Sequence, residues 1–314
     1  MSEVQNYDVV IIGGGPAGLS AGVYAGRSML KTILLEKMMP GGQVSITAEL
    51  ENYPGIVAIS GPELIIEMEK QCEKFGVEIK SEEVLKVEPG AGATGHTITT
   101  DSGTYLAKTV IITSGASAKH IGCPGEDNHI GKGVSYCATC DGAFFRGKEV
   151  IVIGGGDSAV EEADYLTKFA NKVTIVHRRD KLRASKIIQE RAFNNPKIEF
   201  AWDSVVETIE GTPLVNNVKL KNVKTGEITD FRTDGVFVFI GFNASNEFIP
   251  DAIKKDSMGF VITNENMETN IPGIFAAGDI RSKVLKQVIT ASSDGATAAF
   301  VAEKYIEWVF PHNH

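Results

Sequence analysis

No stretch of the 314-residue chain approaches the roughly eighteen consecutive apolar residues of a membrane-spanning helix, which predicts a soluble protein with no membrane partner. The opening Met-Ser-Glu-Val-Gln-Asn-Tyr has no basic segment followed by an apolar run, so no secretory leader is expected and the predicted location is cytoplasmic. Basic charge is also scarce. The chain has 31 Lys and Arg against 40 Asp and Glu, a formal charge of -9, which argues against nucleic acid as a partner. Four cysteines are too few for a disulfide scaffold. Only Cys137 and Cys140 share a Cys-x-x-Cys spacing; Cys72, on the apolar face Leu64, Met68, Cys72, Phe75, and Cys123, beside Ile121 and Pro124, read as small buried hydrophobes. Zinc would need two more ligands, but there is no second Cys-x-x-Cys or His-x3-His and His120 and His129 stand alone, so no metal site is expected.

The length fits two domains of about 150 residues each, and the chain repeats one plan. Asp8 to Ile12 reads as a strand feeding Gly13-Gly14-Gly15-Pro16-Ala17-Gly18, a helix over Leu19 to Ala25, and a strand over Thr32 to Leu35 ending at Glu36. Glu149 to Ile153, the loop from Gly154, a helix from Ser158 to Phe169 and a strand over Lys172 to Val176 repeat it. Hairpin-like alternation follows each unit, over Val77 to Thr100 and over Ile198 to Phe231. Apolar strands then close each half, Thr109 to Thr113 and Gly235 to Ile240. The remaining strand at Ile274 to Ala277 and helix from Gln287 to Trp308 predict a return to the first domain. The expected fold is therefore α/β, with two Rossmann-like dinucleotide-binding domains, the second (117–244) inserted in the first (1–116 and 245–314).

In such a loop the first glycine makes the turn, the second lets a pyrophosphate approach the backbone, and the third packs helix on strand. Gly13, Gly15 and Gly18 fit these places, and Glu36 is placed to accept ribose hydroxyls. The second loop has Gly154, Gly156 and Ala159, but Arg178, Arg179 and Arg183 stand where a carboxylate would be. Guanidinium groups bind a 2′-phosphate that a carboxylate would repel, so this half should hold NADPH. A redox disulfide is the best reading of Cys137 and Cys140, with adjacent Asp141 as a proton shuttle or a helix cap. Because hydride is a two-electron package and a disulfide opens by exchange or by a reduced flavin, a mediator is needed. FAD suits the first site for that reason, although its loop and Glu36 would equally suit NAD.

The run Ser135-Tyr136-Cys137-Ala138-Thr139-Cys140-Asp141-Gly142, with Gly41-Gly42-Gln43, Glu51-Asn52-Tyr53-Pro54-Gly55, Pro124-Gly125-Glu126, His177-Arg178-Arg179 and Ala276-Ala277-Gly278-Asp279, resembles the low-molecular-weight thioredoxin reductases of bacterial type from Tyr7 to the C-terminal helix. The resemblance implies a homodimer with FAD and NADPH domains. It implies that Gly13, Gly15, Gly18, Glu36, Gly42, Gln43, Asn52, Gly278, Asp279 and Gln287 hold FAD, and that Gly154, Gly156, Asp157, Ser158, His177, Arg178, Arg179 and Arg183 hold NADPH. It further implies that Cys140 faces the flavin, Cys137 attacks oxidised thioredoxin, Asp141 serves as acid-base residue, and the NADPH domain rotates on hinges near Ala116 to His120 and Gly241 to Ser245. Lys286 stands where many relatives have arginine, and Gly241-Phe242-Asn243-Ala244 lacks their proline-asparagine ending. Neither the N-terminal extension of related peroxide-system flavoproteins nor a C-terminal thioredoxin domain is read here. Alternatives are a reductase of another small dithiol protein, glutaredoxin-like or from a peroxidase system, and a non-turnover flavin redox sensor. A ferredoxin-NADP reductase is disfavoured by the cysteine pair, and a ferredoxin-dependent thioredoxin reductase by the arginines.

Overall fold

A computed structural model describes residues 4–47 and 50–310. Met1 to Glu3, on which the leader reading partly rests, lie outside the described residues. The chain divides into two compact units, Met1–Ser117 with Asn243–His314, and Ala118–Phe242.

In the first unit five parallel strands run in the order Glu78–Ser81, Thr32–Glu36, Gln5–Ile12, Thr104–Ile112 and Ile274–Ala276. Val9 to Ile12 and Val110 to Ile112 are buried because both faces of the sheet are covered, one by helices and the other by a cluster that includes Ile249, Ile253, Val261 and Ile280. The last of these strands pairs Ile274 with Val110, so the C-terminal segment does return to the first unit. The Pro16–Arg27 and Val288–Val309 helices pack closely through Ala17, Ala21 and Ala25 on one side and Ala291, Ala298 and Ala302 on the other. A Cβ at Gly295 would strike the Ala17 carbonyl oxygen, so only glycine permits this approach.

The second unit repeats that parallel order with Ile198–Ala201, Lys172–Val176, Glu149–Ile153, Gly235–Val238 and Val134–Ser135. Its core holds the fully buried Phe237, a side chain whose burial contributes roughly 1.5–3 kcal/mol. The fifth strand precedes the nucleotide unit here, whereas in the first half it comes from near the chain's end.

Two hairpin expectations are corrected. Glu78–Ser81 is a parallel strand beside Thr32–Glu36, and the antiparallel hairpin of that segment is Val84–Glu88 with His96–Thr100. Likewise Ile198–Ala201 joins the parallel sheet, and the three-stranded antiparallel sheet comprises Ser204–Gly211, Val215–Asn222 and Ile228–Arg232. A strand's alternation marks which face is buried and is silent on the direction of its neighbour. The helix expected over Ser158 to Phe169 runs Asp157–Leu166 and ends in turns. Cys72 is fully buried as expected, but Cys123 is only partly buried. Burial pushes both thiols up, to about 12 and about 11.

The segments that join the units, Ala116–Ala118 and Phe242–Ala244, form a two-stranded ladder. Lys119 N donates to Gly241 O (2.9 Å) on one side of it and Ser114 Oγ to Ser245 O (2.6 Å) on the other.

Candidate dinucleotide and dithiol sites

The first loop leaves the Gln5–Ile12 strand at Gly13, whose φ of +111° disfavours any other residue and whose absent Cβ would lie 2.5 Å from Thr113 O. A Cβ on Gly18 would strike Gly13 O, whereas one on Gly15 would meet nothing within 4 Å. The first and third glycines are thus filled by protein, and the second opens onto space of the kind a pyrophosphate takes. Glu36 Oε2 accepts from Gly14 N at 2.7 Å and Oε1 from Met38 N at 3.3 Å, which fixes the carboxylate at the loop. A cavity of about 450 Å³ beside it is lined by Glu36, Met38, Met39, Pro40, Ile79, Lys80 and Ser81, a size and an apolar character suited to a nucleoside.

Distant segments meet this loop. Gly41 N donates to Gly14 O at 2.8 Å, bringing Gly42 against Gly15 and exposing Gln43 beside them. Gly278, at φ +77°, packs against Ala17. Asn52 Nδ2 donates to Gln287 Oε1 at 3.1 Å, joining residues far apart in sequence. Asp279 carries a buried Oδ1 that accepts no hydrogen bond, with the Lys283 ammonium 3.7 Å away, and burial raises its carboxyl. A buried polar atom in that state suits a ligand's donor.

The second loop has the same division of labour. Gly154 (φ +151°) is closed in by Ala159 and Phe239 O, each 2.5 Å from a built Cβ, while Gly156 faces open space. Gly155 lies on the His177 ring, whose Nε2 is buried without a partner. Burial first, and then the charges of Arg183, Arg179 and Arg178, hold this imidazole below its usual range. The charges of all three arginines thus reach the imidazole that lies on this loop. All three arginines are exposed, and among the described residues none forms an ion pair. Arg183 N donates to Gly155 O (2.6 Å) and Ser185 N to Asp157 Oδ1 (2.6 Å), so Asp157 fastens the arginine segment to the loop. Ser158 is exposed at the start of the helix.

Cys137 and Cys140 form a disulfide with Cα atoms 5.3 Å apart. Cys137 caps a one-turn helix, Ala138–Asp141, and its Sγ accepts from Cys140 N at 3.2 Å. Ala138 packs in one core with Ala159, Val160, Ala163 and Leu166, so the dithiol turn is seated on the helix of the second nucleotide loop. Burial raises the Asp141 carboxyl, against the Ser135 hydroxyl that donates to Oδ2 at 2.6 Å. A carboxyl so placed keeps its proton to higher pH than a solvated one and can hand it to a thiolate. Among the described residues no group of His, Cys, Asp and Glu could hold a metal ion.

Three supporting residues were given no role in the sequence reading, although Ser135 and Glu126 stand in the motifs it quotes. Ser135 bonds Asp141 and the Cys137 amide. Glu126, 1% exposed, accepts from Ile121 N (2.9 Å), Gly122 N (2.7 Å) and the Tyr136 hydroxyl (2.8 Å). Asp294 accepts from Gly278 N at 3.1 Å and pairs with Arg281 (2.9 Å) and Lys283 (3.0 Å) beside Asp279. A carboxylate on the alanine-rich face of the last helix was the available signal for Asp294. Lys286 turns its ammonium onto the Asp279 and Arg281 carbonyls, 3.9 Å from the Phe260 ring centroid, and burial holds it down at about 8.

Residues 7–295 match the family model described as pyridine nucleotide-disulphide oxidoreductase. The chain is 51% identical to a thioredoxin reductase of Peptoclostridium litorale, over 97% of this chain and 98% of that one. It is 50% identical to that of Bacillus subtilis (strain 168), over 98% and 97%. The solved thioredoxin reductase of Streptococcus pyogenes matches at TM-score 0.93 and 50% identity, covering 98% of this chain and 100% of that one. That of Lactococcus lactis, described as being in the FR conformation, matches at TM-score 0.66 with the same 50% identity, covering 96% and 99%.

Proposed function

The chain belongs to the pyridine nucleotide-disulphide oxidoreductase family, among the low-molecular-weight thioredoxin reductases of bacterial type, and on that premise we propose that it is an FAD-containing, NADPH-dependent thioredoxin-disulfide reductase. One observation carries the reading: a Cys137–Cys140 disulfide is seated on the helix of an arginine-flanked nucleotide loop, in a chain with a second loop that ends in a carboxylate.

FAD fits the first unit through the open position at Gly15, the Glu36 cavity, Gly42, Gln43, Asn52, Gln287 and the Asp279 oxygen that accepts no hydrogen bond. NADPH fits the second through Gly156, Ser158, His177 and the unpaired Arg178, Arg179 and Arg183. When bound, the two nucleotides supply the two-electron reducing power that opens the disulfide. The Cys137 thiolate then attacks one sulfur of oxidised thioredoxin, breaking its disulfide and forming a mixed one. The Cys140 thiolate attacks Cys137 Sγ, which releases the second thioredoxin thiolate and restores the Cys137–Cys140 bond. Asp141, whose carboxyl burial raises above its ordinary range, provides a proton to a released thiolate.

One dithiol must serve both the flavin and a protein substrate, and the reading assigns this to rotation of the 117–244 domain on its two linkers. The reading includes a cytoplasmic homodimer, by analogy with the family.

The test is steady-state oxidation of NADPH and of NADH by the FAD-loaded protein with and without oxidised thioredoxin. The expected result is thioredoxin-dependent turnover that prefers NADPH. Turnover that appears only with a glutaredoxin-like or peroxidase-system protein would reassign the partner, and none with any disulfide substrate would refute the reading.

A further inference from the structure

We propose that Ser135 is a positioning residue of the dithiol centre, its hydroxyl holding the Asp141 carboxyl and the Cys137 main chain in one arrangement and so governing proton transfer there. The proposal rests on the reading of Asp141 as the proton-holding group.

Ser135 is 4% exposed and ends the Val134–Ser135 strand, where its pairing opposite Phe237 fixes its backbone in the parallel sheet. A serine hydroxyl has one proton and two lone pairs. The proton has two candidate acceptors, Asp141 Oδ2 at 2.6 Å and Cys137 O at 3.2 Å, and the shorter contact to a carboxylate takes it. A lone pair accepts from Cys137 N at 3.1 Å. One buried atom therefore joins the carboxyl to the backbone of the first cysteine.

The influences on Asp141 are few. Burial raises its carboxyl and Ser135 lowers it. The following residue, Gly142, packs against Leu166 and Phe169, which are apolar, and the sulfurs of the preceding Cys137 and Cys140 are joined in a disulfide. Among the described residues no charged group shifts this carboxyl. Ser135 is thus what offsets burial at this position.

The experiment is the pH profile of thioredoxin-dependent NADPH oxidation by FAD-loaded full chains: the unmodified protein, Ser135→Ala, Ser135→Thr and Asp141→Asn. Flavin content and melting temperature report folding, and Ser135→Gly replaces the alanine variant if the latter does not fold. Turnover that requires protonated Asp141 falls on an alkaline limb. Loss of the donor leaves the carboxylate less stabilised, so Ser135→Ala moves that limb to higher pH and lowers the plateau about tenfold. Ser135→Thr keeps the hydroxyl and restores both features, while Asp141→Asn removes the limb. A Ser135→Ala plateau that falls with the limb unmoved would mean a merely structural serine and overturn the proposal. A limb that persists in Asp141→Asn would instead remove the Asp141 reading, and Ser135's role with it.

Discussion

Gly15 and Gly156 are the positions where each loop leaves room, and Arg178, Arg179 and Arg183 are cations that pair with no carboxylate among the described residues. These were legible in the sequence because the chemistry needs fixed residue types at short spacing. Ser135 and Glu126 were not, because their partners are chosen by the folded path of the chain rather than by spacing. If the arginines read the 2′-phosphate, changing both Arg178 and Arg179 to Gln raises the KM for NADPH about 10- to 100-fold, the equivalent of one charge-assisted hydrogen bond lost or more. NADH kinetics should be unaffected, and equal loss for both coenzymes would show that the arginines do not discriminate. His96 supplies a second prediction at this scale. It is 2% exposed, its Nδ1 accepts from Gly90 N at 3.3 Å, and burial holds its imidazole down at about 4. The unfolded chain binds that proton near pH 6.5 and the folded one does not, so this stability is full above about 6.5 and is lost as pH falls toward 4, by at most about 3 kcal/mol. Urea unfolding across that window should show a shallower slope for His96→Gln, whose amide oxygen keeps an acceptor near Gly90; an unchanged slope would clear His96 of the effect.

The Val288–Val309 helix shows what element-level reading captures and what it misses. Its position and its return to the first unit followed from its apolar length and from the strand left over before it. Its packing depends on Gly295, and the Gly278 turn beside it is held by Asp294. Gly295→Val should destabilise the protein by about 1–3 kcal/mol, because the helix must move away from Ala17 O, and should lower its melting temperature. Asp294→Asn acts differently. It leaves Arg281 and Lys283, 12% and 11% exposed, without their shared carboxylate, and a buried ion pair broken on one side costs about 3–5 kcal/mol. Because Asp294 also holds Gly278 N, FAD titration of the apoprotein should show weaker binding in this variant; full-strength binding would confine Asp294 to folding. The hairpins were only partly legible, since short strands of similar pattern joined either a parallel sheet or an antiparallel one.

As a whole the molecule is one nucleotide-binding plan used twice, with the same five-strand parallel order in each unit and a dithiol turn built into the second. The duplication was visible in sequence because strand, glycine loop, helix and strand recur at matched spacing. The source of each fifth strand was not, since it depends on where distant chain segments dock. Two compact units with separate cores should unfold in separable steps. NADP⁺ at about 100 times its dissociation constant then stabilises the inserted unit by about 2.7 kcal/mol and shifts mainly its transition, whereas FAD shifts that of the first unit. Calorimetry with each nucleotide in turn checks this, and one transition raised equally by both would contradict separate sites. The most direct measurement of the central claim is the thioredoxin-dependent NADPH oxidation rate of FAD-loaded Cys137→Ser, with flavin bleaching by NADPH recorded in the same sample. The account predicts that the flavin still bleaches while thioredoxin reduction falls by about a thousandfold or more, since the attacking thiolate is gone. Undiminished thioredoxin turnover in that variant would contradict it.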